Sequence, residues 1–365
     1  MIKLSLLIGW VMASVPLGSP YAHSPVVLQD TVPIVAPPPS PPAQRLIAWR
    51  AGPVECAGAL RQPVLLPRPS HSIGWGRSER AATVTLEFSI DATGRPASIR
   101  IADSRPIYGN DLTATLAAAR FSGNMPADRC RVTYQPIITD IDDAPREALQ
   151  DYMLFPSGRP LAQEEQRQFW PVDGDCFKPT PAPRLRAYPD FQAIPQAPGT
   201  RSWSMIGFDI DGRGRPINLR VDRSTGNGAL DKAAFDAVSQ SRFEPRARRG
   251  CIAPFLRTGA TLAAPAVPEA LLAREKATCA AAGDWKVKPR PVYPDAFRRR
   301  GVEGWAVIGY DVAPWGQIGN WSVIASEPSS DFGQAALNAV RLAVKGESPQ
   351  GASGCLTLVR FKIEN

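Results

Sequence analysis

The chain has 365 residues, a formal net charge of +8, 38 prolines and two histidines. That length allows two or three domains. With no metal-spaced Cys/His cluster and no CxxC pair, neither a metal, a cofactor nor a dithiol redox centre is expected.

The chain begins with a short basic start, Met-Ile-Lys, followed by an apolar run of 15 residues, LSLLIGWVMASVPLG (4–18). A membrane span needs about 20 apolar residues, so residues 1–22 read as a signal peptide cleaved near Ala22. Export places the protein in an oxidising space and makes nucleic acid an unexpected partner. Residues 23–50, which contain TVPIVAPPPSPPAQ (31–44), read as a Pro-rich leader in extended polyproline II form.

Six cysteines then fall at spacings that repeat: Cys56 and Cys130, Cys176 and Cys251, Cys279 and Cys355 are 74, 75 and 76 residues apart. Fifteen pairings are possible, and only the pairing within each segment repeats with the rest of the sequence. Three segments follow in matching register: unit 1 over 51–140, unit 2 over 171–262 and unit 3 over 279–365. Helical linkers are expected over 141–170 (REALQDYML, LAQEEQRQF) and 263–278 (PEALLAREKA).

In unit 1, Val84, Leu86, Phe88 and Ile90 alternate with polar residues, the period of a half-buried strand. Ile206, Phe208 and Ile210 repeat the pattern in unit 2, and Ala306, Ile308, Tyr310 and Val312 in unit 3. A turn with Gly94, Gly214 or Gly316 follows, then a second strand: SIRIADS, NLRVDRS or NWSVIAS. Next come alanine-rich amphipathic helices, DLTATLAAARF (111–121), ALDKAAFDAVSQSRF (229–243) and DFGQAALNAVRLAV (331–344). A last strand starts at the second cysteine of each pair. The expected fold class is α+β, three tandem units each with a small antiparallel sheet and one or two helices on one face. Trp203 and Trp305 lie on the strand face opposite Phe208 and Tyr310 and are expected to cover a second layer or an interface.

Catalytic chemistry has little to stand on. His71, in RPSHSIGW, sits in a loop without a G-x-S-x-G elbow, and the glycines of GRG and GWG do not extend to GxGxxG. Acid pairs such as Asp142-Asp143 read as solvated. The basic clusters RARR (246–249) and RRR (298–300) read as a solvated loop and helix face, or as contacts to an anionic envelope surface. The chain is therefore read as a non-enzyme.

Unit 3 is where a resemblance emerges. Tyr293-Pro294, Ala296, Gly301, Gly304, the alternating strand to Val312, Gly316, VIAS ending at Ser326 and the alanine-rich helix together resemble the C-terminal domain of the TonB family. Unit 2 keeps Tyr188-Pro189, but Pro195 and Pro198 interrupt the short helix that YPDAFRRRG (293–301) forms in unit 3. The resemblance implies a periplasmic protein that takes a segment of an outer-membrane transporter or other envelope protein as an added strand, in TonB-dependent transmembrane transport. An uncleaved N-terminus would instead make it a membrane-anchored energy transducer, although residues 4–18 lack the histidine of the transducer's Ser-x-x-x-His anchor. Peptidoglycan is a further candidate partner, and the oligomeric state is left open. The expected acceptor edge is the last strand of unit 3, through Leu356, Leu358, Val359, Arg360, Phe361, Lys362 and Ile363. In the sequence, Thr357, Val359, Phe361 and Ile363 share one face with Cys355, and Leu358, Arg360 and Lys362 share the other.

Overall fold

The computed structural model describes residues 44–75, 82–102, 111–158, 160–161, 163–275 and 277–364. The expected signal peptide and the leader up to residue 43 lie outside the described residues. No helix among the described residues is long and apolar enough to cross a membrane.

The first segment holds β1 (Gln44–Cys56), β2 (Ala59–Arg61), β3 (Ser72–Trp75), β4 (Val84–Ile90), β5 (Pro96–Ile101), α1 (Leu112–Ala117) and β6 (Ala127–Asp140). Its sheet runs β2-β1-β6-β4-β5, with β3 also paired to β1. The linker carries α2 (Arg146–Leu154), α3 (Gln163–Gln166) and a short 3-10 turn (Arg167–Phe169). The second segment holds β7 (Pro183–Leu185), β8 (Arg201–Ile210), β9 (Pro216–Ser224), α4 (Gly228–Gln240), β10 (Arg242–Phe243) and β11 (Arg248–Thr258). After α5 (Glu269–Leu272), the third holds β12 (Trp285–Val287), α6 (Asp295–Arg300), β13 (Gly304–Val312), β14 (Ile318–Glu327), α7 (Ser330–Val340), β15 (Val344–Lys345) and β16 (Ala352–Phe361). Their sheets run β11-β8-β9 and β14-β13-β16, all antiparallel. The protein is α+β, with small antiparallel sheets and few helices.

The glycine spacing has a local cause. Gly94, Gly214 and Gly316 all adopt positive φ near 80–90°. Each carbonyl accepts a 2.9 Å bond from the backbone N–H of Phe121, Phe243 or Lys345, so the segment after the helix is tied to the hairpin turn. A Cβ at any of the three would collide with the carbonyl of that same residue. Glycine meets both demands, left-handed backbone and close approach.

Differences from the sequence reading have physical reasons. Residues 44–50, expected in the leader, form half of β1. Leu46 and Ile47 are both buried, in different clusters on the two faces of the strand, so the alternation that marks a half-buried strand is lost. Helix α1 is six residues long rather than eleven, with every residue buried. Helix α5 covers four residues of the expected PEALLAREKA. In the second segment a 3-10 turn, Phe191–Ala193, stands where the third has α6, as Pro195 and Pro198 require. The RRR cluster is not simply solvated. Arg300 is 2% exposed, and Arg248 of RARR is buried with Nη1 donating to the Asp175 carbonyl.

Apolar burial divides the protein unevenly. The first and third segments share one core, which runs from Ile47, Phe88 and Tyr134 to Phe297, Ile308 and Phe361. The second has its own, around Ile206, Phe208, Leu230 and Val238. The first and third are also joined by a buried ion pair. Asp111 accepts from Arg300 Nε at 2.9 Å and Nη2 at 2.5 Å, and from the Ser70 backbone N–H and Oγ at 2.7 Å each. Burial alone would raise the Asp111 carboxyl. The charge and hydrogen bonds of Arg300, helped by Arg201 and Ser70, outweigh it and hold the group well below the usual carboxylate range.

Candidate functional site: the sheet edges

The three disulfides join Cys56–Cys130, Cys176–Cys251 and Cys279–Cys355, the pairing expected from the spacing. Each fixes the segment that leads into its unit to the start of the last strand. That strand, β6, β11 or β16, is the outer neighbour of β4, β8 or β13. In an antiparallel strand, backbone N–H groups point alternately to the two sides. The register aligns Cys130, Cys251 and Cys355 opposite Phe88, Phe208 and Tyr310, so the three edges can be compared position by position.

The first edge is filled. β1 pairs with β6 from Arg45↔Asp140 to Cys56↔Cys130, with a register shift between Ala51 and Val54 at Gly52-Pro53. On its far side β1 is itself paired by β3 and β2.

The second edge is interrupted. Gly259 N–H bonds Thr200 O on the inner side, so Ile252, Pro254 and Leu256 take the outward positions. Proline has no N–H to offer, which blunts an edge strand. Asp175 occupies the start of the same edge, where its backbone N–H bonds Arg249 O at 3.0 Å.

The third edge is open over its middle. The Leu356 N–H donates outward to Glu275 Oε1 at 3.1 Å. Leu358 and Arg360 follow at the same outward positions, and among the described residues nothing bonds their N–H groups. Leu358 stands where β11 has Pro254, each three residues after its cysteine. Val359 and Phe361 are buried with Cys355 in the shared core, and their N–H groups face β13. Arg360 and Lys362 are exposed. The strand ends at Phe361, so Lys362 and Ile363 lie just past it, with the Ile363 N–H bonded to Glu303 Oε1 at 3.0 Å. Burial, with the Glu275 charge nearby, pushes the Tyr310 phenol up to about 12, so it is neutral at physiological pH.

Trp203 and Trp305 are buried on the sheet face away from α4 and α7, each against the linker before its unit. Trp305 Nε1 donates to Pro265 O at 2.8 Å, and Trp203 Nε1 to Asp151 Oδ1 at 2.8 Å. Beside Trp305 a cavity of about 330 Å³ opens at the end of β16, lined by residues 263–267, Glu303, Arg360 and Lys362. It is large enough for one side chain of a strand laid along the edge. Sequence reasoning missed this cavity and the filled first edge; Pro254, three residues after Cys251, was a readable signal for the interrupted one.

The protein is thus of the α+β class, with three sheet edges that differ in how far they are covered. The family model described as Gram-negative bacterial TonB protein C-terminal matches residues 199–253 and 289–363. The first match stops one residue short of Pro254; the second spans the open edge. A search of curated proteins finds no match. Among solved structures, the solution NMR structure of the Pseudomonas aeruginosa TonB CTD is similar at 25% identity and a TM-score of 0.20, covering 23% of this chain and 96% of that one.

Proposed function

We propose that this is a non-enzymatic periplasmic protein built of three tandem TonB C-terminal-type units, which captures a segment of an outer-membrane transporter or other envelope protein as a strand added to β16, in TonB-dependent transport. The observation that carries the reading is the inequality of the three edges. The first is occupied by β1, the second is broken by Pro254, and the third keeps outward N–H groups at Leu358 and Arg360. Backbone pairing gives such a complex its affinity, and flanking side chains give it selectivity. Arg360 and Lys362 favour an acidic or polar neighbour, and the cavity by Trp305 takes one side chain.

The test is a reciprocal exchange, Leu358→Pro and Pro254→Leu, read by photo-crosslinking from position 360 in intact cells. Leu358→Pro removes one outward donor and leaves the β13 ladder intact, whereas a proline at Val359 would break that ladder. Loss of crosslinks to a transporter segment in Leu358→Pro, with the fold retained, is the expected result. Unchanged crosslinks in that variant would refute edge capture at β16.

A further inference from the structure

Between the loop before β3 (residues 65–71), α2 and the start of β8 lies a half-open cavity of about 810 Å³, and none of its lining residues belongs to β16. Leu65, Pro69, Phe155 and Pro195 supply apolar wall, and Arg201 lies among charged neighbours Arg68, Glu147, Asp151 and Arg300. The Arg201 guanidinium lies 4.2 Å from the centre of the Phe155 ring, and its Nη2 donates to Ser70 Oγ. A guanidinium carries five N–H donors in a rigid fork. Among the described residues, Ser70 is the one acceptor bonded to Arg201.

The nearest carboxylates are committed to other groups. Asp111 is held by Arg300 and Ser70. Asp151 lies 2.8 Å from His71 Nδ1 and accepts from Trp203 Nε1 at the same distance. Burial and the Arg300 charge bring the Arg201 pKa down to about 10, against the pull of Asp111 and Asp151, so it remains a cation at neutral pH. A half-buried, stacked cation with most of its fork unused matches a planar anion that accepts two parallel bonds. Arg68 and Arg300 offset Glu147 and Asp151 around it, so the match to a carboxylate rests on the planar fork rather than on the net charge of the lining. Gln196, Ser202 and Asn227 in the same lining are bonded to one another and hold the wall beside Arg201 in place.

We infer that this cavity is a second binding site, which takes a short peptide by seating its free C-terminal carboxylate on Arg201 with the body of the peptide against Phe155 and the prolines. The site stands independently of strand capture at β16. The test is isothermal titration of the full chain with trialanine, trialanine C-terminal amide and inorganic phosphate, repeated on Arg201→Gln. Trialanine should bind saturably. Amidation, and separately Arg201→Gln, should each weaken it by about ten- to a hundredfold, the weight of a charge-assisted pair. The acid-against-amide comparison uses the unaltered chain, so it holds even if Arg201→Gln fails to fold. Absence of saturable trialanine binding, equal binding of acid and amide, undiminished binding by a folded Arg201→Gln, or tighter binding of phosphate than of trialanine would each overturn the assignment.

Discussion

β6 and β16 occupy the same place in their sheets, but β6 is flanked by β1 for most of its length and β16 only near its start, by Glu275 and by Thr278 and Cys279. The covered edge shows what pairing at this position looks like. The added strand runs antiparallel, and a Gly-Pro bulge adjusts its register opposite Thr133. It also shows how much support such a strand needs inside the chain. β1 is buried on both faces, through Ile47 in the shared core and Leu46 in a cluster with Leu149, Tyr152 and Phe169 of the linker. In the strand-capture reading, a partner at β16 would have less to lean on: the outward N–H groups of Leu358 and Arg360, a cavity beside Trp305 and two cations. In that reading, the difference separates a structural strand from an exchangeable one.

The comparison depends on the first and third segments being held together, and the largest expected effect tests that. Asp111→Ala leaves Arg300 buried without its partner and should cost about 3–5 kcal/mol in chemical denaturation. The pH dependence follows from the depressed Asp111 carboxyl. Its stabilisation is complete above the unfolded-state value of about 4 and is lost as pH falls below that toward the folded-state value. Asp111→Asn should therefore flatten part of the acid limb of the stability curve. An acid limb identical to the parent's would show that the pair does not control the junction.

Next in size are the disulfides. Replacing Cys279 and Cys355 by alanine should cost about 2–5 kcal/mol, and amide exchange should rise in both the first and third segments because they share a core. The same change at Cys176 and Cys251 should act mainly on the second segment, whose core is separate. Exchange that rises only over 279–364 in the first case would mean the shared core is not cooperative.

Ile47→Ala tests the covered edge directly. Ile47 is fully buried, and the substitution should cost about 2–5 kcal/mol. The telling readout is amide exchange at Thr133 and Gln135, which face β1 and should lose protection before Val132 and Tyr134, which face β4. Equal loss at all four would mean that β1 and β4 leave together.

Much of this was legible beforehand. The alternation of Val84 to Ile90 and of Ala306 to Val312, the glycine after each hairpin strand and the cysteine spacing all follow from strictly local or repeated demands. Hidden features depended on tertiary partners. β1 carries no period-two pattern because both its faces are covered. Arg300 sits in a run of arginines that looks solvated, and only the position of Asp111 turns it inward. At the candidate site, β16 and its buried face were readable from alternation, with Val359 and Phe361 beside Cys355. Which backbone N–H groups point outward depended on register, so Val359 and Leu358 could not be told apart as donors from sequence.

The smallest expected effect concerns Glu275, which holds the first outward N–H of β16 from an exposed position. One exposed hydrogen bond between a side chain and the backbone adds little to stability, so Glu275→Ala should change it by less than about 1 kcal/mol. Its effect should appear instead in exchange at the Leu356 amide, which ought to approach that of an unprotected edge while Val359, bonded into the β13 ladder, keeps its protection. In the strand-capture reading the carboxylate competes with an incoming strand for this donor, so the variant should also crosslink partner segments from position 360 somewhat more strongly. Faster exchange at Leu356 with weaker crosslinking would mean that Glu275 helps to hold the partner rather than guarding the edge. The open edge would then begin at Leu358, with the glutamate as part of the recognition surface.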